Sequence, residues 1–141
     1  MTFWRRRPPG GGGVRSILNQ TILQVGSVVV APIVPTRGQL KQRRSIVVRA
    51  PLSDLNSDIW VIGVTSDNGR YDPTDTVTYP PREFMAMPYR ADGTHPTSFD
   101  RPCAAYIEFL QTFKRRQLGA IAGQLFGREL QDLLDWINEA E

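Results

Sequence analysis

The sequence predicts a small, mainly β domain in which a curled antiparallel sheet or small barrel is followed by a C-terminal amphipathic helix. Three runs rich in β-branched residues follow one another closely in the first half of the chain: Val25–Ile33, Ser45–Arg49 and Ile59–Thr65. The connections between them are too short for the crossovers that parallel strands need, so they favour an antiparallel meander. The 141 residues correspond to one domain.

The C-terminal helix is predicted from a change in the spacing of apolar residues. They recur every three or four positions after Gly127, a permissible N-cap, in a run that begins at Arg128-Glu129-Leu130, and acidic residues occupy the other side. The apolar residues are Leu130, Leu133, Leu134 and Ile137. A helix with this pattern buries one side against the sheet.

The remaining segments are assigned from their composition. Residues 1–24 combine Arg, Pro and four consecutive glycines, which predicts a flexible basic arm ahead of the domain at 25–141. The first strand is expected to end around Pro32, and the polar stretch Pro35–Arg44 is expected to be a loop. Residues 67–102 hold six of the eleven prolines and predict an irregular excursion with short strands at Val77–Tyr79 and Phe84–Met87. Strand character returns at Cys103–Leu110.

Charge is distributed very unevenly along the chain. Residues 1–53 carry nine basic side chains and no acidic one, whereas residues 54–141 carry eight basic and fourteen acidic side chains. A basic segment of this kind favours a polyanionic partner, and arginine, which supplies most of the cations, matches phosphate geometry well. No apolar stretch approaches the ~20 residues of a membrane helix, and the single cysteine, Cys103, indicates a reducing cytoplasm.

Most catalytic and metal sites lack the residues they need. One histidine, His95, and one cysteine cannot supply the four ligands of a structural zinc site, so no cofactor is expected. A nucleophilic triad would depend on His95, which lies in a loop sequence and is expected to be an exposed bystander. The glycines at 10–13 have neither a preceding strand nor a following Lys-Ser/Thr, so they do not form a phosphate-binding loop.

An arginine-led site at the rim of the sheet remains. Arg43 and Arg44 lead into the second strand, while the hydroxyl residues Thr65 and Ser66 end the third. Because the start of one strand meets the end of its antiparallel neighbour, these groups are expected to lie at the same rim. A rim salt bridge with two hydroxyls at a strand end is an alternative interpretation of the same residues.

Several stretches resemble the MazF/PemK family of toxin ribonucleases. The family pattern has Gly-Asp-Val-Val, a glycine-bearing loop, Arg-Pro before an apolar strand, and a later apolar strand that ends in Thr or Ser. The matching stretches, which span just over half the chain, are Val25–Val30, Pro35–Gly38, Arg44–Val48, Val61–Ser66, Phe109–Leu118 and Glu129–Leu134.

The resemblance implies an SH3-like β-barrel with a terminal helix, a homodimer that cleaves single-stranded RNA without a metal and is neutralised by an antitoxin. It implies that Arg44 is the catalytic arginine. It also implies that Thr65 is the catalytic hydroxyl residue, with Ser66 beside it in the sequence. The ribose 2′-hydroxyl would be the nucleophile. Arg37, Lys41 and Arg43 are candidate contacts to RNA phosphates.

Two other functions stay open at this point. The first is a catalytically inactive SH3-like module that binds nucleic acid or a partner protein. The second is a gyrase-directed toxin of the same fold. Such toxins act through a helix that ends in apolar and aromatic residues, whereas this helix ends in Asn138-Glu-Ala-Glu141. The sequence does not predict the RNA cut site or the antitoxin.

Overall fold

A computed structural model describes residues 23–50, 57–66, 72 and 74–140. In these residues the chain forms six strands, one short 3₁₀ turn and one α-helix. In chain order they are β1 (Ser27–Ile33), β2 (Lys41–Arg49), β3 (Ile59–Thr65), β4 (Phe84–Met87), β5 (Cys103–Phe113), the 3₁₀ turn (Arg115–Gln117), β6 (Ile121–Gln124) and α1 (Gly127–Ala140). The predicted arm at 1–24 lies outside the described residues as far as residue 22.

The strands form one sheet in the order β4-β5-β3-β2-β1-β6, and each adjacent pair is antiparallel. The predicted meander of the first three strands is therefore confirmed, as is the predicted class of a curled, mainly antiparallel β structure with a C-terminal helix. The helix begins at Gly127, the residue predicted as its N-cap, and buries Leu133 and Ile137. Within the described residues no helix is long and apolar enough to cross a membrane.

The second strand is longer than predicted. It begins at Lys41 rather than Ser45, because Lys41–Arg44 pair with β1 from Ile33 back to Val30. Pairing with a buried strand therefore overrides the polar composition of this stretch. Pro32 is tolerated inside β1 because β6 pairs with β1 only at Ser27–Val29, which leaves one side of β1 unpaired at the proline.

Other boundaries also differ from the prediction. Val77–Tyr79 lies in a turn rather than a strand, whereas Phe84–Met87 is a strand as expected. Strand β5 continues to Phe113, three residues beyond the predicted end. Strand β6 was not predicted, because Ile121-Ala-Gly-Gln has neither a β-branched run nor clear alternation.

An irregularity in β5 bends the sheet. Ile62 of β3 pairs with Leu110, but Val64, two residues later, pairs with Ala105, five residues earlier on β5. The β5 strand therefore contains three residues more than β3 over this interval. Extra residues of this kind form a bulge, which bends a strand and increases its twist.

The curled sheet has an apolar cluster on each face. The cluster beneath α1 includes Val28, Ile46, Ile62, Leu125 and Leu133. The cluster on the other face includes Val29, Val47, Val61, Phe109 and Phe113. Met87 and Phe99 belong to the first cluster, so the proline-rich excursion contributes side chains to the core and holds its loop against the sheet.

Candidate functional site

A cleft of about 310 Å³ opens at the rim of the sheet, where the start of β2 meets the end of β3 and the loop that leads into β5. Its floor is formed by the largely buried side chains Val64, Phe99 and Cys103. Its polar lining consists of Gln42, Arg43, Arg44, Ser66, Asp100 and Arg101. A concave site with several convergent polar groups is typical of ligand binding.

Strand register brings the two halves of the cleft together. Ser45 pairs with Gly63 across β2 and β3, so the residue before Ser45 and those after Gly63 lie at the same end of the two strands. Arg44 and Ser66 accordingly line one cleft, as the sequence predicted. Thr65 instead pairs with Ala104 of β5 and is not among the described residues that line the cleft. Thr65 ends β3 and Ser66 follows it, and successive side chains of an extended chain point to opposite sides.

Arg44 is held by the backbone of the loop before β5. Its exposed side chain donates a hydrogen bond from Nη1 to the carbonyl oxygen of Ser98, at 2.9 Å. Ser98 has a φ of 66°, in the left-handed region that residues with a Cβ seldom adopt. A planar guanidinium with one fixed hydrogen bond keeps its other donors available for a phosphate.

A carboxylate and a second guanidinium face Arg44 across the cleft. Arg101 Nε donates to Asp100 Oδ1 at 3.0 Å. The hydrogen bond and charge of Arg101, helped by the charge of Arg44, hold the pKa of Asp100 below its usual value. Asp100 is therefore ionised at neutral pH, and its carboxylate can act as a proton acceptor.

Arg43 adopts a different position from its neighbour. Its guanidinium carbon lies 4.8 Å from the centre of the Phe109 ring, in a cation–π arrangement. Its Nε is buried and has no hydrogen-bond partner among the described residues. Only part of Arg43 therefore faces the cleft, and its charge is partly committed to the core.

The other predicted phosphate contacts lie outside the cleft. Arg37 and Lys41 are exposed and are not among the described residues that line it. Both precede Gln42 and Arg44 in the sequence, so exposed positive charge continues along the chain ahead of the cleft residues. They remain candidate contacts to a longer polyanion.

The one cysteine and the one histidine of the sequence are both constrained by their surroundings. Burial raises the pKa of Cys103 to about 12, so at neutral pH it is a thiol on the cleft floor rather than a nucleophile. The prediction of an exposed His95 is wrong, because its side chain is only 13% exposed and contacts Thr97. Within the described part of the chain, no three His, Cys, Asp or Glu side chains cluster to hold a metal.

Sequence reasoning missed Asp100 and Arg101. The signal was present, because the two charges directly precede Pro102 and the apolar strand that starts at Cys103. The pairing of Thr65 with Ala104 brings the start of β5 to the end of β3, and with it both charges to the cleft. That pairing joins residues about forty positions apart, so local patterns do not reveal it.

Comparison with known protein families and with curated proteins gives no significant match to this chain. The resemblance to the MazF/PemK ribonucleases therefore stays a prediction from the quoted motifs.

Proposed function

We propose that the protein is an endoribonuclease that cleaves single-stranded RNA without a metal or other cofactor. The observation that carries the proposal is the meeting of Arg44, Ser66 and Asp100 around one cleft. A guanidinium, a hydroxyl and an ionised carboxylate are sufficient for RNA cleavage, because the substrate provides its own nucleophile.

In the proposed reaction the 2′-oxygen forms a bond to the adjacent phosphorus while the bond from phosphorus to the 5′-oxygen breaks. Asp100 accepts the 2′-hydroxyl proton, and Arg44 and Arg101 stabilise the charge on the phosphoryl oxygens. Water protonates the departing 5′-oxygen, and Asp100 returns its proton to the hydroxide so formed. The products are a 2′,3′-cyclic phosphate and a 5′-hydroxyl.

We assign the hydroxyl of this mechanism to Ser66. The resemblance points to Thr65, but Ser66 is the one that lines the cleft beside Arg44. Thr65 lies one position earlier and pairs with Ala104 in the sheet. Its role in the proposal is to hold the end of β3 in place, while Ser66 donates a hydrogen bond to the scissile phosphate.

The partners of the proposed enzyme follow from the resemblance alone. They are an antitoxin protein and a second copy of the chain, in the cytoplasm. A short acidic protein encoded next to this chain would support the antitoxin. Sedimentation that shows a monomer at micromolar concentration would contradict the homodimer.

The test is to incubate the purified protein with single-stranded RNA in EDTA and to analyse the product ends. Wild type and Arg49→Ala are expected to give 2′,3′-cyclic phosphates, and Arg44→Ala is expected to give almost none. Arg49 is a matched control, because it is an exposed arginine on the same strand and lies outside the described lining of the cleft. RNA with a 2′-deoxyribose at the cut site should resist cleavage.

Two results would overturn the proposal: no cleavage by wild type, or undiminished cleavage by Arg44→Ala. Salt-dependent RNA binding that Arg44→Ala weakens, with no strand cut, would favour the alternative of an inactive binding module.

A further inference from the structure

The turn that carries Ser98 is organised around the side chain of Thr97, which is fully buried. Thr97 Oγ1 accepts a hydrogen bond from the Phe99 backbone N–H at 3.2 Å. It also lies 2.9 Å from His95 Nδ1, the nitrogen that accepts the Thr97 backbone N–H at 3.2 Å. With Nδ1 accepting, the hydroxyl donates to the ring. One buried hydroxyl therefore links both sides of the turn.

The turn rests on two elements of the domain. Pro96 accepts a hydrogen bond from the Gln124 N–H of β6 at 3.0 Å. A Cβ on Gly123 would lie 2.5 Å from the Thr97 carbonyl oxygen, so this close approach requires glycine. His95 Nε2 faces Glu129 of α1 at 3.6 Å. The turn is thus fixed between the edge strand and the helix.

The last residues of this turn, Ser98 and Phe99, lie at the cleft. Ser98 N–H donates to the His95 carbonyl at 2.7 Å, and this closes the turn. The Ser98 carbonyl then accepts the Arg44 hydrogen bond, while the Phe99 side chain is only 3% exposed and anchors the chain in the core. The carbonyl that orients Arg44 belongs to a strained residue between two buried ones.

We propose that Thr97 is a positioning residue for Arg44: its hydroxyl fixes the turn whose Ser98 carbonyl orients the guanidinium toward the cleft. Arginine has many rotamers, and an exposed one without a fixed partner would sample most of them. A guanidinium displaced by about 1 Å loses much of its effect on a transition state. The catalytic part of this inference rests on the proposed function, but the orientation of Arg44 does not.

The test compares Thr97→Val, which removes the hydroxyl at nearly constant volume, with Thr97→Ser, which keeps it. Thr94→Val is the matched control, since Thr94 is an exposed threonine in the same excursion whose hydroxyl bonds Asp92 at 2.7 Å, outside the described lining of the cleft. We expect Thr97→Val to lower kcat for RNA cleavage by about 10- to 100-fold with little change in KM. Thr97→Ser and Thr94→Val should remain within about twofold of wild type.

A second measurement does not depend on RNA cleavage. In ¹⁵N-labelled protein the Arg44 guanidinium signal, assigned by its loss in Arg44→Lys, should show slow Nη rotation in wild type, Thr97→Ser and Thr94→Val. Rotation should be fast in Thr97→Val. If wild type does not cleave RNA, the proposed function fails while this spectrum still decides whether Thr97 positions Arg44.

The proposal is overturned if Thr97→Val folds and keeps slow Nη rotation of Arg44, whatever its kcat. It is also overturned if Thr97→Ser loses as much as Thr97→Val, because the hydroxyl would then not matter. Should Thr97→Val fail to fold, His95→Ala removes the acceptor of the Thr97 hydroxyl and of the Thr97 backbone N–H, and it does so at a side chain that is 13% exposed. That variant must then show the lower kcat and faster rotation, and wild-type values would overturn the proposal.

Discussion

Arg43 and Arg44 are neighbours on one strand, yet they occupy opposite faces of the sheet and very different surroundings. Arg44 bonds a backbone carbonyl at the cleft and faces Asp100. Arg43 lies over the ring of Phe109, with one buried nitrogen that has no partner among the described residues. The two-residue alternation of a strand therefore places one arginine at the cleft and its identical neighbour over an aromatic ring of the core.

Substitutions at these two neighbouring arginines should separate effects on RNA cleavage from effects on stability. Arg44 is exposed, so its removal should leave the fold intact, whereas the group beneath Arg43 belongs to the core. Substitutions at Arg44 should change the proposed RNA cleavage at constant stability, and substitutions beneath Arg43 should change stability more than cleavage.

The largest expected effect comes from Arg44→Ala in the proposed RNA cleavage. Loss of the guanidinium that faces the phosphate should reduce kcat/KM by about 10³-fold, while Arg43→Ala should reduce it by about tenfold or less. Initial rates on one single-stranded RNA measure both. Equal losses for the two variants would break the distinction between the two faces.

Phe109→Ala should have the next largest effect, and on stability rather than on cleavage. The ring is 5% exposed and supports both Arg43 and Tyr106, so its truncation should cost about 3–5 kcal/mol of unfolding free energy. Urea denaturation of wild type and Phe109→Ala at the same pH measures this difference. A cost below about 1 kcal/mol would mean that this face is not a packed core.

Ser66→Ala and Thr65→Val test which hydroxyl serves the cleft. Because Ser66 lines it, Ser66→Ala should lower kcat by about tenfold or more, and Thr65→Val should lower it less. Single-turnover cleavage rates measure both variants. The opposite order would assign the role to Thr65, as the family resemblance implies.

The smallest effect concerns Cys103 on the cleft floor. Burial raises its pKa to about 12 from the ordinary value of 9.0, so the folded state favours the neutral thiol. The free energy of unfolding therefore includes a contribution from the neutral thiol that is complete below pH 9. It is lost as the pH rises toward 12, because in that interval the Cys103 thiol ionises only in the unfolded chain. Between pH 8 and pH 10, wild type should lose about 1 kcal/mol more than Cys103→Ala in urea denaturation. Parallel losses in the two proteins would contradict a neutral buried thiol.

The sequence predicts the parts of this molecule that depend on local patterns. Strand β3 and the start of α1 follow directly from residue type and spacing, and the proximity of Arg44 to Ser66 follows from antiparallel pairing. The sequence does not reveal which of Arg43 and Arg44 lies at the cleft, because their side chains alternate between faces only if β2 already includes both residues. Asp100 and Thr97 were missed for a related reason, since long-range pairing with β3 and β6 brings their loop to the cleft.

The bulge in β5 has a consequence for how the length of this strand can change. Before the bulge, the odd-numbered residues Cys103 and Ala105 face the cluster beneath α1. After the bulge, the even-numbered Leu110 faces that cluster, and the odd-numbered Phe109 and Phe113 face the opposite one. The three surplus residues are an odd number, so they exchange the faces of odd and even positions. Deleting one residue between 106 and 109 would exchange them again and turn Phe109 and Phe113 toward the cluster beneath α1, where they do not fit, whereas deleting two residues would keep both rings in their own cluster. Insertions and deletions in this segment should therefore be tolerated only in pairs.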